Sequence, residues 1–176
     1  MRRVLLLLLT AITLLSACKK DGIAKKDEFE ASYEKLQDFK KSSGNSYTYI
    51  ATSGSVFGYS STTTVTVING IVVGRDYKAY RLNDAHQSVL YLSFTEDKSS
   101  IGAHTQGQEA LTLDQIYSKA KNEWLKVDRK ANDIYFETNA DGLIANCGYV
   151  PKGCQDDCFN GITILSIQAT PRFVVN

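Results

Sequence analysis

The chain of 176 residues has few of the side chains that most often carry catalysis or hold a metal. It contains two histidines, one tryptophan, one methionine, two prolines and four cysteines. His86 and His104 stand alone, each in a stretch that reads as a solvated loop. The zinc-protease pattern His-Glu-x-x-His is missing, and so is the Gly-x-Ser-x-Gly nucleophile elbow. The glycines of residues 102–107 have neither the preceding strand nor the spacing of a dinucleotide-binding loop. An excess of one charge is missing too: the formal net charge is +1, and without Arg2 and Arg3 it becomes slightly negative. No basic footprint therefore points to nucleic acid. No repeat of 20–50 residues is present. Only one apolar run is conspicuous, and at the N-terminus it falls short of the ~20 residues needed to span a bilayer.

That run is informative because of its surroundings. Arg2 and Arg3 precede an apolar block over residues 4–9, resumed at Ala11-Ile12, and small residues follow before Cys18. A basic start, an apolar middle and a small-residue cut make a secretory signal peptide. Leu15-Ser16-Ala17-Cys18 resembles the signal of bacterial lipoproteins. The resemblance implies cleavage after residue 17, a diacylglyceryl group on the Cys18 thiol, and palmitate-type acylation as the hold on the lipid bilayer. Two chains anchor where one binds only reversibly, at ~0.8 kcal/mol per buried methylene. Lys19 after the cysteine resembles outer-membrane sorting rather than inner-membrane retention. The expected organisation is a leader over 1–17, a lipidated cysteine and tether over 18–24, and one domain over 25–176. Six tether residues reach roughly 20 Å when extended, so the domain should sit close to the membrane of the cell envelope.

Hydrophobic periodicity lays out that domain. Residues 25–41 read as a helix with Phe29, Tyr33 and Leu36 on one stripe, acids near its start, lysines at its end and Gly44 as its stop. Residues 45–52 alternate as a strand, with Tyr47, Tyr49 and Ala51 on one face. Residues 61–68 and 71–82 flank Asn69-Gly70, the dipeptide of a type I′ hairpin turn. A fourth strand covers 88–95, with Leu90, Leu92 and Phe94 on one face and Tyr91 facing away. Residues 96–108 read as a loop. Thr112 and Gln115 then make a capping box, with Leu111 and Ile116 as its hydrophobic staple. The stripe Leu113, Ile116, Tyr117, Ala120 and Trp124 carries the second helix to about Val127, so Trp124 should be buried against the sheet. Strands follow over 133–138, 143–147 and 162–169. Helix, four strands, helix, three strands, with short hairpin links, predicts an α+β domain: an antiparallel sheet of about seven strands with both helices on one face.

Short pieces along this pattern resemble a domain-of-unknown-function family of small Gram-negative envelope lipoproteins. They are Tyr47-Thr48-Tyr49, the hairpin from Val65 to Gly70, Thr112 to Tyr117, and Gly148-Tyr149 with Pro151 and Asp156-Asp157. Cys147, Cys154 and Cys158 depart from the family pattern. That family has no assigned activity, so the likeness implies fold and address alone.

The cysteines are the one unusual chemistry. Outside the reducing cytosol a disulfide with one thiol left over is the default. A metal site is the second reading. A redox-active pair is the third, and Asp156 and Asp157 disfavour its thiolate. If the sixth and seventh strands form a hairpin, Cys147 ending one and Cys158 just before the other should pair, leaving Cys154; Cys147 with Cys154 is the alternative. Asp156-Asp157 alone is too little for calcium. No convergent catalytic set and no cofactor motif emerges. The expected function is thus a membrane-anchored, non-catalytic binding module that takes an envelope protein or small ligand on the open face of the sheet, with Tyr91 on that partner surface. The alternative is a thiol- or metal-dependent enzyme built on the cysteine loop.

Overall fold

The computed structural model describes residues 22–170. The leader, Cys18 and the end of the chain after residue 170 lie outside the described residues. The elements run α1 (Lys26–Ser43), β1 (Tyr47–Gly54), β2 (Tyr59–Ile68), β3 (Ile71–Leu82), β4 (Ser88–Asp97), α2 (Leu113–Asn122), a 3-10 turn (Trp124–Lys126), β5 (Asn132–Thr138), β6 (Ile144–Pro151) and β7 (Asn160–Ala169). The strands form one antiparallel seven-stranded sheet in the order β4-β3-β2-β1-β7-β6-β5. This is the α+β order read from the sequence. Each strand pairs with its chain neighbour, and the chain-distant pairing of β1 with β7 joins two meanders into one sheet. No helix of the described residues is long and apolar enough to cross a membrane.

Local chemistry sets the element ends. Asn69 and Gly70 have φ of 50° and 78°, as a type I′ turn demands. Gly44 closes α1 at φ 62°, donating its N–H to the carbonyls of Lys40 and Lys41. Thr112 and Gln115 complete the capping box of α2 in both directions. Leu111 and Ile116 are both buried beside it.

Both helices lie on one face of the sheet. Leu36, Tyr47, Tyr49, Val65, Val67, Ile116, Ala120, Leu125, Ile144 and Ile162 belong to one core, each at most 1% exposed. Three tyrosine hydroxyls peg the helical layer to the sheet. Tyr47 accepts from the Leu113 N–H at 2.8 Å, and Tyr49 donates to the Leu111 carbonyl at 2.8 Å. The Tyr117 hydroxyl lies 2.6 Å from Ser32 Oγ and accepts the Ile144 N–H at 3.0 Å. Burial raises all three phenols, that of Tyr47 to about 12 despite its bond from Leu113, so these hydroxyls stay protonated. Trp124 is buried as its stripe demanded. It sits in the 3-10 turn, however, because the α-helix ends at Asn122 rather than near Val127.

The outer strands β3 and β4 are covered by the segment between β4 and α2 instead of by a helix. Arg75 of β3 and Glu96 of β4 stand opposite each other in the ladder and are 3% and 0% exposed. Arg75 Nη1 reaches Glu96 Oε2 at 3.3 Å and the His104 carbonyl at 3.2 Å, while Nη2 donates to the Gln106 carbonyl. Glu96 accepts the backbone N–H groups of Gly102 at 3.1 Å and His104 at 2.8 Å, and its Oε1 lies 3.0 Å from His104 Nδ1. The His104 ring stacks on Phe94 at 4.0 Å, and Phe94 stacks in turn on Tyr77 at 5.0 Å. A buried ion pair thus fixes this segment through its backbone.

Candidate functional site

The cysteines do not converge. Cys154 and Cys158 form a disulfide with Cα atoms 6.3 Å apart, and Cys147 is free and buried. The expected Cys147–Cys158 pair is therefore corrected. The reason lies in the length of β6, which continues past Cys147 to Pro151. Cys147 stands mid-ladder opposite Ile162 and Phe136, and belongs to the core. Cys158 lies two residues before β7 begins, in the hairpin loop. Burial pushes the Cys147 thiol up to about 12, which suppresses the thiolate that nucleophilic or metal chemistry uses. Among the described residues no three His, Cys, Asp or Glu side chains gather as a metal ion would need. Peptide mapping of unreduced protein should recover a Cys154–Cys158 crosslink. Cys147 should resist alkylation until denaturant is added; a Cys147 adduct in native buffer would contradict its burial.

Tyr91 is placed by a bulge. Ala79 pairs with Leu92 but Tyr80 pairs with Leu90, so Tyr91 is the extra residue. Leu92 and Phe94 stand beside Ala79 and Tyr77, whereas Leu90 falls to the other face beside Tyr80. The Tyr91 ring meets Tyr59 edge-on at 6.3 Å, with Arg81 over it at 5.8 Å. Tyr59 and Arg81 oppose each other on the face of the sheet that carries Tyr77. Tyr91 is thus on the helix side, beyond the helices' reach, and 48% exposed.

There it borders a groove of about 650 Å³. The groove opens where the sheet divides. The ladder between β1 and β7 stops at Thr52 and Thr163, while β1 and β2 stay paired to Gly54 and Ser60. Beyond that point the β1–β4 meander and the β5–β7 meander part as two wings. The first contributes Tyr59, Tyr77 and Tyr91, with Ser53, Ser61 and Gln108. The second contributes Tyr135 and Phe159, which meet edge-on at 6.4 Å, with Asn146, Thr163 and Asp157. Gly148 and Gly161 face each other across β6 and β7, and a side chain on Gly148 would run into the Asn160 carbonyl, the Gly161 backbone and the Phe159 ring. The bare glycine leaves room for the close pairing of the strands and for that ring.

The disulfide-bonded loop closes one end of the groove. Asp157 Oδ2 accepts a hydrogen bond from Ser55 Oγ at 2.6 Å, which ties the β6–β7 hairpin to the β1–β2 turn. Gln108 is held on the opposite wall, its N–H donating to Thr63 Oγ1 at 2.9 Å. The Arg75–Glu96 pair fixes the segment that ends at this residue. His86 sits in the β3–β4 turn, its N–H donating to the Asn83 carbonyl at 2.9 Å, and does not line the groove, while His104 serves the Glu96 cluster. Sequence reasoning set Tyr91 on the face away from the helices, which the bulge corrects, and it missed Tyr59, Tyr135 and Phe159, which the parting of two chain-distant meanders brings to one groove. No family model matches the chain, and neither a curated protein nor a solved structure matches it.

Proposed function

We propose that this chain is an envelope lipoprotein, anchored in the bilayer through acylated Cys18, whose domain is a binding module that takes its ligand in the groove between the two wings. One observation carries the binding part. Tyr59, Tyr91, Tyr135 and Phe159 are large aromatics 38–52% exposed, and all four line this one groove. Large apolar side chains gathered in one exposed concavity mark interaction sites. Tyrosine also supplies amphipathic contact area at little entropic cost. The rest of the lining is mostly hydroxyl, amide and backbone, with Tyr77, Val150 and the Asp157 carboxylate that Ser55 engages. The address rests on the residues before Cys18, and the family likeness rests on the short pieces named above.

In-cell photo-crosslinking tests the binding part. A crosslinking residue at position 91 or 135 should give a discrete adduct that the same residue at Leu165, exposed on the β7 bulge, does not. Equal patterns from all three positions would contradict the groove as the site. The address has its own test. Cys18→Ser should release the domain from the membrane fraction or leave an unprocessed precursor; unchanged processing and membrane retention would refute lipidation.

A further inference from the structure

We infer that the ligand class of this groove is a neutral oligosaccharide, an inference that rests on the groove being the binding site. Charge comes first. No lysine, arginine or histidine lines the groove. Arg81, beside the groove, is laid over the Tyr91 ring. The one carboxylate in the lining, Asp157, is engaged by Ser55 at 2.6 Å. A phosphate, a carboxylate or a polyanion would find no cation in the lining, only Arg81 at its rim, and a cation would find a single acid already hydrogen-bonded to Ser55. The ligand that suits these walls is uncharged.

Its other properties follow from the two kinds of wall. The aromatic pairs Tyr59–Tyr91 and Tyr135–Phe159 offer ring faces and edges on opposite wings. Between them lie Ser53 and Ser61, whose hydroxyls are 2.9 Å apart, and Asn146 with Thr163, whose side chains are 3.3 Å apart. Each of these groups can both donate and accept. A pyranose ring has the matching character, with apolar C–H faces and a rim of hydroxyls that also donate and accept. The volume of about 650 Å³ lies within the usual range for small-ligand sites, ~300–1,000 Å³. An extended peptide fits less well. It would bind by adding a strand, and the edges that the parting sheet leaves free in the groove are short, Ser53 and Gly54 of β1 and residues 160–162 of β7. Strand addition uses runs nearer to 5–6 residues.

The full chain, purified in a detergent without a sugar headgroup, should be applied to an array of neutral and acidic oligosaccharides. Saturable binding to one or more neutral oligosaccharides is expected, with little dependence on salt. Calorimetry with the best neutral oligosaccharide should then show at least tenfold weaker binding for Tyr91→Ala and for Tyr135→Ala. Both residues are near the surface, so the thermal midpoints should change little. Binding confined to acidic oligosaccharides, or neutral binding untouched by both tyrosine variants, would overturn the inference. Failure of the array together with protein adducts at positions 91 and 135 in cells would overturn the saccharide class while leaving the groove as the site. Failure of both experiments would remove the groove reading itself.

Discussion

Glu96→Gln is expected to destabilise the domain by about 3–5 kcal/mol, the usual cost of removing one partner from a buried ion pair. The carboxylate is fully buried and answers Arg75, two backbone N–H groups and the His104 ring. Loss of its charge leaves the guanidinium, itself 3% exposed, without a counter-charge in a region of low dielectric. Arg75→Met should cost a comparable amount. Arg75→Met combined with Glu96→Leu should cost clearly less than the sum, because the two charges are removed together. Urea denaturation of the four proteins measures this directly. A Glu96→Gln cost below about 1 kcal/mol, in the range of a surface pair, would mean that water reaches the site. The same group fixes an acid dependence. Burial alone would raise the Glu96 carboxyl, but the Gly102 and His104 N–H groups, the His104 ring and Arg75 outweigh it and hold it below the ordinary carboxylate range. The unfolded chain therefore binds this proton more readily than the folded one. Its contribution is present above the ordinary carboxylate range and is lost as the pH falls below it. The wild-type domain should lose stability there more steeply than Glu96→Gln.

Trp124→Ala should cost about 3–5 kcal/mol, as expected for truncating a buried tryptophan. Its side chain fills the corner where the helical layer meets β6, and Leu125 beside it is 1% exposed. Truncation removes the largest side chain of that corner and leaves a void the 3-10 turn cannot close. Trp124→Phe should recover most of the loss, since the void then shrinks. Equilibrium unfolding followed by far-UV circular dichroism checks this without relying on the missing fluorophore. A loss under about 1 kcal/mol would show that the turn packs loosely on the sheet.

The features that were legible in the sequence are those fixed within a few residues. The Asn69-Gly70 turn needs only two positive φ angles, the capping box at Thr112 needs only its own four residues, and Gly44 ends α1 by its own conformational freedom. The alternation of Tyr47, Tyr49 and Ala51 likewise reports burial on one face. What failed depends on registers that local patterns do not specify. The end of β6 is set by pairing with β5 and β7, so the bridge expected at Cys147 is replaced by one within the hairpin loop. The bulge in β4 shifts Tyr91 relative to Leu90. The segment after β4 looked like a plain loop because its anchor is an ion pair between residues 21 positions apart. A signal for it was present: Arg75 and Glu96 stand at nearly equal distances from the β3–β4 turn, on the face that also carries Tyr77 and Phe94. The groove itself had no local signal, since it arises where two meanders distant in the chain separate.

The most direct test of the groove as a recognition site is amide chemical-shift mapping of the nitrogen-15-labelled protein, titrated with the neutral oligosaccharide that binds best. Shifts should concentrate on both wings, at Ser53, Gly54, Tyr59, Tyr91, Tyr135, Phe159 and Gly161, and should titrate with one dissociation constant. Shifts confined to the outer edge of β4, or centred on the surface around Lys25 and Arg129, would contradict the account.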